Sequence, residues 1–244
     1  MLYLFLLINL SLNCRLRDFL LFLDTEASGL PKKWNQPYSN SDNWPFSVQI
    51  SWIIFTKERR LVKTENHYIG DRDFEIKDSA IKIHGINREY LDQHGESRNA
   101  VMQKLADDLN YYQPLVSGHF MEFDYHVVSA DFYRAGIENP LKGLPTFCTM
   151  LASSYYVRDP SVKYLRLGEL YTTLFDAKLE NQHNALVDAQ ATADCFFELL
   201  NRGEITNETI ERQEKSQNAP LKFFKWIIVG LAVLLFILLI SLYI

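Results

Sequence analysis

The chain has 244 residues, 48% of them hydrophobic, with a net charge of −5 and three cysteines. That length suits one sizeable α/β domain with appendages. The acidic balance argues against a protein that wraps long nucleic acid and is compatible with one that holds a short single-stranded end. Cys14, Cys148 and Cys195 form an odd, sparse set without zinc-site spacing, which excludes a disulfide framework and fits a reducing compartment.

Residues 1–16 form an apolar extension too short to span a bilayer as a helix. It resembles the apolar part of a signal peptide but has no basic residue before it and no small-residue cleavage site after it. Phe19 to Leu23 is an unbroken apolar run and predicts a buried strand. Asp24 and Glu26 follow, separated by Thr25. Alternation along a strand puts both carboxylates on one face, about 7 Å apart. They repel each other unless a positive group lies between them, and hard oxygen ligands favour Mg²⁺ or Mn²⁺. A strand that simply ends in polar residues at solvent accounts for the same pattern without a metal.

Residues 31–45 contain Pro31, Pro37 and Pro45 among many Asn and Ser residues, so they read as a loop, longer than most in compact domains. Lys32, Lys33, Trp34, Tyr38 and Trp44 interleave charge with aromatic faces. That suits stacking on unpaired bases, and it equally suits tryptophans that pin the loop to the domain. Phe46 to Phe55 predicts a central strand, Glu58-Arg59 a turn and Leu61 to Ile69 a third strand, together an antiparallel meander. Short helical turns over Ser79–Ile83 and Asn87–Gln93 bracket His84. Val101, Leu105 and Leu109 recur every fourth residue and predict a helix from Ser97 to Tyr112.

Leu115 to Ser117 reads as a fourth strand, and Glu122 to Ala135 as a helix closed by Gly136. Asp124 therefore lies near a helix start. Thr146 to Thr149 begins a further strand or helix, and Leu167–Phe175 and Asn184–Asn201 are helices. His183 stands five residues before Asp188. Residues five apart on a helix diverge by about 140°, so these two meet only if His183 sits at or before the helix start.

In order, the chain offers Asp24-x-Glu26, Phe123-Asp124 and His183-x-x-x-x-Asp188. Over residues 17–201 this resembles the DEDDh family of 3′–5′ exonucleases. Ile83-His84-Gly85-Ile86 and Cys148-Thr149 are further matches. Many members carry His-Asn where this chain has His119-Phe120, a difference that bears on local packing. The resemblance implies an RNase H-like α/β fold: a mixed sheet of a three-strand antiparallel meander plus parallel strands, flanked by helices. It implies that Asp24, Glu26, Asp124 and Asp188 hold two Mg²⁺ ions, with Mn²⁺ able to substitute, and that Asp24 bridges the two. His183 is implied as the base. The implied reaction removes nucleoside 5′-monophosphates from the 3′ end of single-stranded DNA or RNA. Thr25 and Leu30 flank the acids and are candidate contacts for the terminal nucleotide. The alternative is a catalytically silent, membrane-tethered module that binds nucleic acid, and the intact five-residue set argues against it.

Residues 202–221 are polar and read as a linker. Within residues 222–244, Trp226 to Ile244 is an uncharged run of 19 residues. As a helix it would measure about 28 Å, close to the thickness of the bilayer core. Lys222 and Lys225 precede it and no basic residue follows. The positive-inside rule then predicts a single-pass C-terminal anchor in the lipid bilayer, with the catalytic domain cytoplasmic.

Overall fold

The computed structural model of the chain describes residues 16–215. Its centre is a six-stranded mixed sheet with strand order β4-β3-β2-β1-β5-β6. The strands are β1 (Phe19–Ala27), β2 (Ser47–Thr56), β3 (Leu61–Ile69), β4 (Gly95–Glu96), β5 (Leu115–Gly118) and β6 (Thr146–Cys148). The first three form the antiparallel meander; β5 runs parallel to β1, and β6 parallel to β5. This is the mixed sheet that the resemblance implies. The helices are α1 (Asp78–His84), α2 (Arg88–His94), α3 (Arg98–Tyr112), α4 (Met121–Ala135), α5 (Thr149–Ala152), α6 (Leu167–Phe175) and α7 (Ala185–Asn201).

The alternation of β1 divides the core in two. Leu21 and Leu23 pack into one apolar cluster with Val101, Leu105 and Leu109 of α3 and with Val128 and Phe132 of α4. Leu20 and Phe22 pack into the other, with Leu170 and Leu174 of α6 and Ala193, Phe196 and Leu199 of α7. A strand covered on both faces has no polar side to show, which is why its sequence is a continuous apolar run. The helices follow from ordinary caps: the Ser97 side chain accepts from the N–H of Ala100, and Gly136 ends α4 at φ 68°. Asp131, wholly buried on α4, accepts from the N–H of Ser47 at 3.0 Å and pairs with Arg134 at 2.7 Å. That contact ties α4 to the start of β2.

Three features differ from the sequence-based expectations. Thr146–Thr149 is both alternatives, a strand to Cys148 and a helix from Thr149. Two-residue β4 carried no readable signal. Residues 207–215, inside the stretch read as linker, are helical, and Ile205 and Ile210 are buried against the α7 face of the sheet. The Gln213 side chain there accepts from the N–H of Cys148 and donates to its carbonyl, at 2.8 and 3.1 Å.

The membrane-spanning helix expected as part of the fold is corrected. Among the described residues no helix is long and apolar enough to cross a membrane. A span needs about 20 apolar residues, whereas α7 has 17 and carries Asp188, Asp194 and Glu198. Its acids exist because one face meets solvent or the site. The expected single-pass anchor and the cytoplasmic placement of the domain are corrected with it, since no described helix supplies such a span. The run from Trp226 to Ile244 that motivated it lies outside the described residues, as do residues 1–15.

Candidate active site

β1 reaches past the apolar run to Ala27, so Asp24 and Glu26 are strand residues and keep its alternation. They share parity with Leu20 and Phe22 and therefore face α7. Thr25 shares parity with Leu21 and Leu23 and faces α4. The N-termini of both helices meet this strand end, and each brings an acid on its fourth residue, Asp124 on α4 and Asp188 on α7. Helix N-termini carry partial positive charge, which favours a carboxylate there.

Thr25 donates to Oδ1 of Asp124 twice, from its backbone N–H at 3.0 Å and from its hydroxyl at 2.7 Å. Gly118, where β5 ends, leaves room for the same carboxylate. A Cβ at that position would stand 3.1 Å from Met121 Sδ, 3.2 Å from the Leu23 carbonyl and 3.4 Å from Asp124 Oδ2. On the other side Gln49 of β2 orders α7. Its Oε1 accepts from the N–H of Ala185 at 3.1 Å, while Asn184 caps the helix by accepting from Leu186 and Val187. His183 precedes that cap, as the spacing requires, with φ 64°. Its N–H donates to Asp188 Oδ2 at 3.0 Å. Ligand atoms of Glu26, His183 and Asp188 lie within 4.8 Å of one another.

The structure thus brings all five predicted residues to one strand end. Burial and repulsion from Asp124, Asp188 and Glu26 hold the Asp24 carboxyl well above the usual range. Glu26 is pushed up to about 8 by burial and then by Asp188 and Asp124. Asp124 rises to about 7, chiefly by burial, against the two bonds from Thr25 that favour its charged form. Asp188 is raised by burial. Its Oδ1 is buried with no hydrogen-bond partner in the structure. Four crowded acids and an orphaned carboxylate oxygen fit a divalent cation, whose charge reverses the cost of ionising them.

The two outlying candidates differ. Thr25 is buried and its hydroxyl is committed to Asp124, whereas Leu30 is 71% exposed just beyond the strand. Sequence reasoning did not find Gln49 or Gly118. Gln49 had one available signal, a polar residue inside the apolar strand that the pattern places in the core. His84 was singled out without a role; its Nε2 lies 3.3 Å from the carbonyl of Ala27.

The exonuclease family model RNase_T matches residues 21–196, about the whole described sheet and its helices. The chain belongs to this exonuclease family. The DEDDh resemblance implied the same. No curated protein matches the chain by sequence. Among solved structures, exonuclease I superposes with a TM-score of 0.63 at 18% identity, covering 80% of this chain and 43% of that one. A zinc-bound complex of E. coli exonuclease I with single-stranded DNA gives 0.63 at 20% identity, covering 76% and 41%. The same enzyme with a dT13 oligonucleotide gives 0.61 at 18% identity, covering 85% and 43%. These likenesses concern the fold, and this exonuclease spans less than half the length of those chains.

Proposed function

We propose that this exonuclease removes nucleotides one at a time from the 3′ end of single-stranded DNA, in a reaction that requires Mg²⁺, with Mn²⁺ able to replace it. The observation that carries the reading is the convergence of Asp24, Glu26, Asp124 and Asp188 at one strand end with Asp188 Oδ1 unpaired. The 3′–5′ direction follows from the DEDDh resemblance. The choice of DNA is supported by the fold likeness to E. coli exonuclease I, which has been solved with dT13 and with dA16 oligonucleotides.

In this reading Asp24, Glu26, Asp124 and Asp188 hold two ions. When bound, the ions supply positive charge for the attacking and leaving oxygens and lower the pKa of water. The chain's own groups do the rest. Thr25 keeps Asp124 in place through two donated bonds. Gln49 and Asn184 fix the start of α7 and hence Asp188. His183, exposed at the mouth of the site, takes the proton of the attacking water on its imidazole ring. The water oxygen bonds to phosphorus as the bond from phosphorus to the 3′ oxygen breaks. The shortened strand keeps that oxygen, which takes up a proton from solvent to become its 3′ hydroxyl, and a nucleoside 5′-monophosphate leaves. Leu30 lies against the terminal nucleotide.

A 5′-labelled single strand incubated with Mg²⁺ tests the reading. It should shorten one nucleotide at a time from its 3′ end, release mononucleotides, and remain intact in EDTA. Internal cuts, or a strand left whole with either metal, would reject it. Running RNA beside DNA identifies the preferred sugar.

A further inference from the structure

Trp34 and Trp44 belong to one loop and take opposite positions. Trp44 is 2% exposed, its indole stacks on His126 at 4.7 Å, and its Nε1–H donates to the Gln36 carbonyl at 3.2 Å. It pins the loop to α4. Trp34 is 42% exposed and Phe120, at the start of α4, is 38% exposed. Their ring centroids are 5.8 Å apart, and Phe120 lies nearly parallel to Phe123, with 17° between planes at 6.2 Å. Folding ordinarily covers large aromatic rings, since each buries much apolar area. Here it leaves two side by side at the surface.

The backbone sharpens the point. Phe120 has φ 71°, in the left-handed region that a bulky residue occupies at a cost and that Asn tolerates. The ring stays 38% exposed and rests on Trp34 and Phe123, so burial offsets only part of that cost. Strain of this kind concentrates where ligands bind. The position fits such a role, because Phe120 precedes Asp124 by four residues, about one helical turn. The charge fits as well: residues 30–41 include exposed Lys32 and Lys33 and no carboxylate.

We propose that Trp34 and Phe120 form a stacking platform for unpaired bases of the single DNA strand, upstream of the nucleotide being removed. The proposal rests on the exonuclease reading for the path of the strand. Flat aromatic faces stack on any base, and the two lysines meet the phosphates between them. A duplex hides the faces of its bases and gains nothing from the platform.

The test measures binding of fluorescein-labelled dT12 to the full chain in EDTA by anisotropy, beside a blunt duplex of the same length. Trp34→Ala should weaken dT12 binding about 5- to 150-fold. Phe120→Asn should weaken it in the same direction while suiting the left-handed backbone, so that loss of binding is not loss of fold. Duplex affinity should stay the same in both variants. Unchanged dT12 affinity in both, or equal weakening towards the duplex, overturns the platform. Mononucleotide release by the wild-type chain in Mg²⁺ reports the exonuclease reading separately. A wild type that releases none, with dT12 binding still lost in Trp34→Ala, removes that reading and keeps the platform.

Discussion

Thr25 and Asp124 are 99 residues apart in the chain and are joined by two hydrogen bonds to a single oxygen, at 3.0 and 2.7 Å. The strand that offers Asp24 and Glu26 on one face therefore also positions, through its other face, the acid from α4. Thr25→Val keeps the shape and the backbone bond but deletes the hydroxyl. Unfolding in urea should show a loss of about 1–2 kcal/mol, and turnover should fall about tenfold as Asp124 loosens. Thr25→Ser should retain most of both. A fully active valine variant would remove Thr25 from this positioning role.

Asp24→Ala and Asp188→Ala should each abolish nearly all turnover. Each deletes a proposed metal ligand and also relieves repulsion among buried acids. Thermal midpoints in EDTA should therefore equal or exceed that of the wild type, while the increase on adding Mg²⁺ should shrink. A variant that unfolds in EDTA would show the acids to be structural.

The same crowding sets a pH dependence. Glu26 and Asp124 have folded values of about 8 and about 7, against unfolded values of about 4.3 and 3.9. Between those limits the folded state holds more protons than the unfolded one, so stability falls as pH rises. Half-buried His119, lowered to about 4 chiefly by desolvation, acts oppositely, because the unfolded chain takes up its proton below about 6.5. The carboxyl effect is thus cleanest from pH 6.5 to 8. In EDTA the thermal midpoint should drop across that window, and Mg²⁺, which favours the ionised acids, should flatten the drop. A rise in EDTA would contradict the assigned shifts.

His183 is exposed and shares the 4.8 Å cluster with Glu26 and Asp188. As the base, its loss in His183→Ala should lower kcat by about 10² to 10⁴ with little change in metal affinity. Calorimetric titration with Mn²⁺ separates the roles. A large loss of affinity would make the imidazole a ligand.

Local patterns along the chain were enough to predict the strand that ends in Asp24-Thr25-Glu26, the helices that start near Asp124 and Asp188, and the place of His183 before a helix. These follow from periodicity, caps and alternation, which act within a few residues along the chain. The residues that hold those acids in place became visible in the folded chain alone. Gln49 on Ala185 is a contact across 136 residues, and Thr25 on Asp124 one across 99; no local pattern encodes a partner at that distance. The same holds for the loop, where composition left two roles open for its tryptophans. Stacking face to face on His126 at 4.7 Å buries Trp44, whereas Trp34 meets His126 and Trp44 at its edge, at 6.0 and 6.3 Å, and stays partly at the surface. Burial is a property of what a side chain meets in three dimensions, so two like residues ten positions apart in one loop reached opposite ends of it.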